Sequence, residues 1–86
     1  MIEHQDDYLG LLDQTAASAG WSRIAVSGGE RALVARYDNS RGQQIDATVS
    51  AREIRMAKDS GTLRHLAAAR FSAAVRILSA QEDRAA

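Results

Sequence analysis

Any chemistry in this chain has to come from its arginines, its carboxylates and two histidines, because the sequence contains no cysteine. That one absence removes thiolate nucleophiles, disulfides and cysteine metal sites together. Nucleophilic catalysis needs a serine or similar group beside a base that a third residue orients. His4 stands near the first residue and His65 stands alone on one helical face, neither beside a serine or an acid at a spacing that builds such a relay. Two histidines and scattered acids also give no metal-ligand pattern. The glycines of Ser27-Gly28-Gly29-Glu30 lack the spacing of a phosphate loop and precede no helix. These residue types predict a protein without catalytic activity, cofactor, metal or small-molecule substrate.

The arginines say more. There are ten of them to one lysine, and a guanidinium makes bidentate and stacked contacts that an ammonium does not. A GC-rich coding sequence would give the same bias, along with the 17 alanines. The net charge is zero but unevenly spread: residues 1–20 carry Glu3, Asp6, Asp7 and Asp13 and no basic residue, whereas residues 51–80 carry six basic residues against Glu53 and Asp59. Arg52, Arg55 and Lys58 recur at intervals of three and are followed by Arg64, His65 and Arg76. A strip of this kind could contact phosphates, the term that drives non-specific nucleic-acid binding. A solvated helix face would look the same.

Arg70 poses a separate question. In Leu63-Arg64-His65-Leu66-Ala67-Ala68-Ala69-Arg70-Phe71, continuing to Leu78, the residues Leu63, Leu66, Ala67, Phe71, Ala74, Ile77 and Leu78 form one apolar stripe at helical spacing, and Arg70 falls inside it. A buried charge without a partner is costly. Three readings follow: the stem lies along the core with its head in water, Asp13 or Glu30 neutralises it, or this part of the stripe is an interface.

The elements that must position these residues can be read from period and punctuation. From Asp6 to Ala19 the apolar side chains fall on one side of a helix, with Asp6 or Asp7 as cap and Gly20 at the left-handed stop. Trp21–Ser27, Arg31–Tyr37 and Gln43–Ser50 are short, β-branched runs separated by turn residues, and predict a three-stranded antiparallel meander. A two-residue Gly-Gly turn would pair Ser27 with Glu30, and the longer loop would pair Tyr37 with Gln43. That register puts Ile24, Val26, Leu33, Ala35, Ile45, Ala47 and Val49 on one face. It puts Trp21, Arg23, Ala25, Ala32, Val34, Arg36, Gln44, Asp46 and Thr48 on the other. Ser50-Ala51-Arg52-Glu53 is a capping box that starts a short helix at 51; Ser60 or Thr62 then caps a long helix to about Ala80, with residues 81–86 as a frayed tail.

The predicted fold is therefore α+β: helix, three-stranded antiparallel meander, short helix, long C-terminal helix, with the helices packed on one sheet face and residues 1–86 forming a single small domain. The order helix, three strands, helix is similar to that of double-stranded RNA-binding domains over Tyr8 to Leu78, with Thr62-Leu63-Arg64-His65 standing where those domains have a lysine-rich helix start. The resemblance implies a nucleic-acid partner for Arg52, Arg55, Lys58 and Arg64.

The uncovered sheet face suggests a different partner. Trp21, Arg23, Val34 and Arg36 would cluster there, and Trp and Arg are enriched at interface hot spots; the competing placement has Trp21 folding over the edge into the core. A domain of 86 residues buries only a modest share of its chain surface, and thin cores are often completed by a second copy. With no long apolar run and no leader-like start, the expected compartment is the cytoplasm and no membrane contact is expected. Protein binding through the outer sheet face, as a homodimer or as a small regulator or inhibitor of a larger assembly such as mobile elements carry, is the primary expectation. Nucleic-acid binding by the basic C-terminal helices is the alternative.

Overall fold

The computed structural model describes residues 4–57 and 59–85. Helix α1 (Gln5–Ser18) buries Tyr8, Leu9, Leu12 and Ala16, the one-sided set that its 3.6-residue period selects. Its cap differs from the expected one. His4, with φ of 63°, precedes the first turn without a side-chain cap bond, and Asp6 and Asp7 lie inside that turn, where carboxylates complement the helix dipole. Gly20 takes the left-handed conformation anticipated for it, with φ of 84°.

Three strands follow, β1 (Trp21–Gly28), β2 (Ala32–Asn39) and β3 (Gln44–Ser50), in an antiparallel sheet of order β1-β2-β3. The registers differ from those expected. Tyr37 pairs with Ile45, two residues along from Gln43, because Asn39 closes the loop with its own side chain, accepting from the backbone amides of Arg41 and Gln43. A two-residue slip leaves every side chain on its expected face. Between β1 and β2 the change is larger: Ser27 pairs with Val34, where Glu30 was expected, and a bulge lies between Arg23 and Ala25. The connection is not a two-residue turn. Gly28 belongs to the strand with φ of 141°, and a side chain there would run into the Ala32 carbonyl.

Ser50 caps α2 (Ala51–Met56) through the expected reciprocal bonds: its hydroxyl accepts from the Glu53 amide, and the Glu53 carboxylate accepts from the Ser50 amide. Helix α3 (Ser60–Ala85) is started by Asp59, whose carboxylate accepts from the Thr62 amide at 2.7 Å; neither Ser60 nor Thr62 takes that role. The helix also continues past Ala80 to Ala85, so the expected frayed tail is helical through Ala85, and Glu82 accepts a hydrogen bond from the Gln43 side chain. No glycine or proline follows Ala80 to stop it.

Helices α1 and α3 cover one sheet face and close the core. Leu33, Ala35, Tyr37, Ile45, Ala47 and Val49 meet Tyr8, Leu12, Ala16, Ile54, Leu63, Ala67, Phe71 and Ala74. The α+β architecture read from the sequence is the architecture observed. Among the described residues nothing covers the opposite sheet face, and no helix is long and apolar enough to cross a membrane.

Candidate functional site

The bulge at Ile24 decides where the expected hot-spot residues point. An extra residue shifts the in-out alternation of a strand by one. Ala25 and Ser27 lie opposite Arg36 and Val34 on the outer face, whereas Arg23 lies opposite Tyr37 on the helix side. Trp21 is on the helix side too. It is 8 % exposed and meets Phe71 edge-on at 6.4 Å, and Phe71 meets Tyr37 at 6.1 Å in the same manner. The outer-face cluster of Trp21, Arg23, Val34 and Arg36 is therefore corrected: only Val34 and Arg36 occupy that face.

Each of the three arginines nearest the sheet and core has an acid. Arg23 lies 3.5 Å from Asp13, which also accepts a 2.6 Å hydrogen bond from the Tyr37 hydroxyl. Burial, then that hydrogen bond and the Asp13 charge, raises the Tyr37 phenol well above the ordinary range. Arg36 forms a two-bond pair at 2.9 and 3.3 Å with Asp46, its direct cross-strand neighbour. The Arg36 hydrogen bond holds the Asp46 carboxyl below its usual value. This pair closes the centre of the outer face electrostatically, with Ala25, Val34 and Thr48 among the residues around it.

Arg70 also has an acid, and it is neither Asp13 nor Glu30. Its guanidinium donates to Glu53, so one carboxylate both caps α2 and ties it to α3. The pair is partly exposed at the helix edge. The Arg70 Nε and the hydroxyl of the fully buried Tyr8 have no hydrogen-bond partner among the described residues. Burial pushes the Tyr8 phenol up to about 12, the positive charge of Arg70 opposing it.

Arg52, Arg55 and Arg64 are exposed and form no ion pair among the described residues, and Lys58 lies outside them. The amide of Ala51 donates to the Arg31 carbonyl at 2.8 Å, so the chain brings Arg31 beside Arg52, a neighbour that the sequence reading missed. The same end of the molecule is not uniformly basic. Asp6, Asp7 and Asp59 line a groove of about 560 Å³ between the first turns of α1 and α3, with Leu11 and Leu63. His4 is 3.7 Å from Asp7 and His65 is exposed on α3. Among the described residues no group of three His, Cys, Asp or Glu side chains is placed to hold a metal ion.

The most unusual surface is the free edge of the sheet. In β1 every residue after Trp21 is exposed, Ile24 at 47 % and Val26 at 40 %. Ile24 was expected on the covered face. It is uncovered because it is the bulge residue of an edge strand. As an outer strand, β1 also turns half of its backbone donors and acceptors away from β2. Native edges are commonly protected by an unpaired charge, often lysine. The only charged residue of β1 is Arg23, and it is held by Asp13. Alternation alone could not have found this edge, since it places Ile24 and Val26 in the core. No family model, curated protein or solved structure matches the chain.

Proposed function

We propose that the chain is a non-catalytic protein-binding module whose contact is made by strand addition along β1. The observation that carries this reading is the β1 edge itself: exposed Ile24 and Val26, open backbone groups and no unpaired charge. In strand addition the main-chain bonds supply affinity and alternate side chains supply specificity. The binding surface thus moves from the centre of the outer face to its border. Val34 and Arg36 flank it, and Trp21 and Arg23 support it from below.

The direct test uses an extended probe of known sequence. A synthetic peptide with the sequence of Ser22–Gly28 is titrated into dilute ¹⁵N-labelled protein, and amide shifts are followed. Strand addition moves the β1 amides first. No shift, or shifts gathered on the α2–α3 surface, would overturn it.

A second reading is supported by the exposed guanidinium groups of Arg31, Arg52, Arg55 and Arg64, which have no acid partner among the described residues, unlike Arg23, Arg36 and Arg70. On that reading the basic end binds a polyanion such as nucleic acid. Affinity would fall steeply between low and moderate salt, with a slope set by the number of phosphates neutralised. Strand addition at an edge whose one charge is already paired would change little over the same range.

A further inference from the structure

We infer that the strand added at β1 is β1 of a second copy of this chain, antiparallel to the first, about a two-fold axis at Ala25. This rests on the strand-addition reading and names its partner. The argument is one of self-complementarity. The two large exposed side chains of the strand, Ile24 and Val26, flank Ala25 on either side. An antiparallel two-fold pairing centred on Ala25 sets Ile24 of each copy against Val26 of the other, so both apolar groups of both edges are covered at once. Such isologous contacts place the same patch on both subunits.

Charge permits the same arrangement. Like charges directly opposite each other destabilise a strand pair. β1 holds one charged residue, Arg23, which lies two residues from the axis, so no charged residue of β1 faces another. The Arg23 guanidinium is already engaged by Asp13 on its own chain. Two neutral edges therefore meet without repulsion, and a two-fold antiparallel join keeps the helices of both copies on the same side of a six-stranded sheet.

The opposite edge is a poorer candidate. β3 alternates exposed polar residues Gln44, Asp46 and Thr48 with buried Ile45, Ala47 and Val49, so it offers no exposed aliphatic side chain. The other large exposed apolar residues, Met56 at 64 % and Ile77 at 60 %, lie on α2 and α3 and not on a strand edge. A contact limited to one strand edge lies at the small end of stable interfaces, below about 1,200 Å². A weak, reversible dimer is expected.

The absence of cysteine makes a geometric test available. Opposed residues in an antiparallel pair have Cα atoms about 4.5 to 5.5 Å apart, within the usual disulfide range of about 4.4 to 6.8 Å. Ala25→Cys should therefore cross-link to its own copy under mild oxidation. Ser27→Cys, on the same strand and face, should not. Its two copies would be separated by four residues of strand, about 13 Å. Alongside, light scattering with chromatography over a concentration series should show the mass rise towards twice the 9.3 kDa of one chain. Ile24→Lys should abolish the rise, and Met56→Lys should leave it intact, with circular dichroism confirming that both variants are folded. If Ile24→Lys does not fold, the cross-linking pair decides alone. Equal cross-linking by both cysteine variants, loss of the dimer in Met56→Lys, or a monomer at millimolar concentration would overturn the proposal. A monomer that still takes the β1 peptide at its edge would refute the second copy and leave strand addition standing. A monomer that does not take it would refute both.

Discussion

Raising the pH above 10 should unfold this protein through its two tyrosines. Tyr8 and Tyr37 are the only tyrosines of the chain, and both are fully buried. Burial raises each phenol, Tyr8 to about 12 and Tyr37 further by its hydrogen bond to Asp13. An unfolded tyrosine loses its proton near pH 10. Above that point the unfolded chain binds fewer protons than the native one, so stability falls as pH rises. The contribution is whole below about pH 10 and is lost as pH climbs through the native values. At about pH 11.5 an unfolded phenol with a pKa near 10 gains about 2 kcal/mol over one that keeps its proton, so the two together remove about 4 kcal/mol. That is comparable with the entire stability of a marginal domain of this size, about 4 kcal/mol at the low end. With one lysine in the chain, little else titrates between pH 9 and 12.

The assay is phenolate absorbance followed beside far-ultraviolet circular dichroism. No phenolate should appear near pH 10 while the protein is folded, and both should appear together as the dichroism collapses. A phenolate that titrates near pH 10 with secondary structure intact would refute the reasoning. Two variants separate the contributions. Tyr37→Phe loses a charge-assisted hydrogen bond to a half-exposed carboxylate and should cost about 1 to 2 kcal/mol at neutral pH. Tyr8→Phe removes a buried hydroxyl that has no partner among the described residues and should be neutral or stabilising by up to about 1 kcal/mol. Each should remove about half of the alkaline loss.

Three further outcomes follow from the packing. Glu53→Ala removes the capping box and the acid of Arg70 together and should cost about 1 to 2 kcal/mol, whereas Glu53→Gln keeps the cap and should cost about 0.5 kcal/mol or less; urea denaturation of both variants measures the difference. Phe71→Ala opens a space between Trp21 and Tyr37 and should lower stability by about 3 to 5 kcal/mol, with a red shift of Trp21 fluorescence if any folded protein remains. Gly28→Ala forces a side chain towards the Ala32 carbonyl at positive φ and should cost about 2 kcal/mol or more in a thermal melt, while Gly10→Ala, on the open side of α1, should stabilise slightly.

Much of this architecture was legible because it is encoded locally. The Ser50–Glu53 box, the stop at Gly20 and the apolar stripe of α3 from Leu63 to Ala74 are each written within a few residues of where they act, whereas Ile77, expected in that stripe, is exposed. The faces of β2 and β3 survive an error in register because the slip was even. What failed depends on contacts far apart in sequence. Glu53 meets Arg70 only because α2 folds against α3, and no spacing announces it. Asp13, Arg23 and Tyr37 lie on three different elements. The end of α3 is set by the absence of a stop signal, which is harder to read than its presence.

The bulge at Ile24 is the consequential omission, since one extra residue in one strand changed the candidate site. Without it, Trp21, Arg23 and Ala25 would share a face and Trp21 would stand in water on the outer side of the sheet. With it, Trp21 completes the aromatic contact with Phe71 and Arg23 reaches Asp13, while the apolar residue between Arg23 and Ala25 is left uncovered at the border of the sheet. The same irregularity that finishes the core thus exposes the edge. A bulge ordinarily discourages strand pairing by bending the edge, but here its neighbours carry neither an unpaired charge nor a proline to reinforce that protection. On the proposed reading, an edge that is bent, holds no unpaired charge and is lined by Ile24 and Val26 would favour a short, register-specific contact over open-ended stacking.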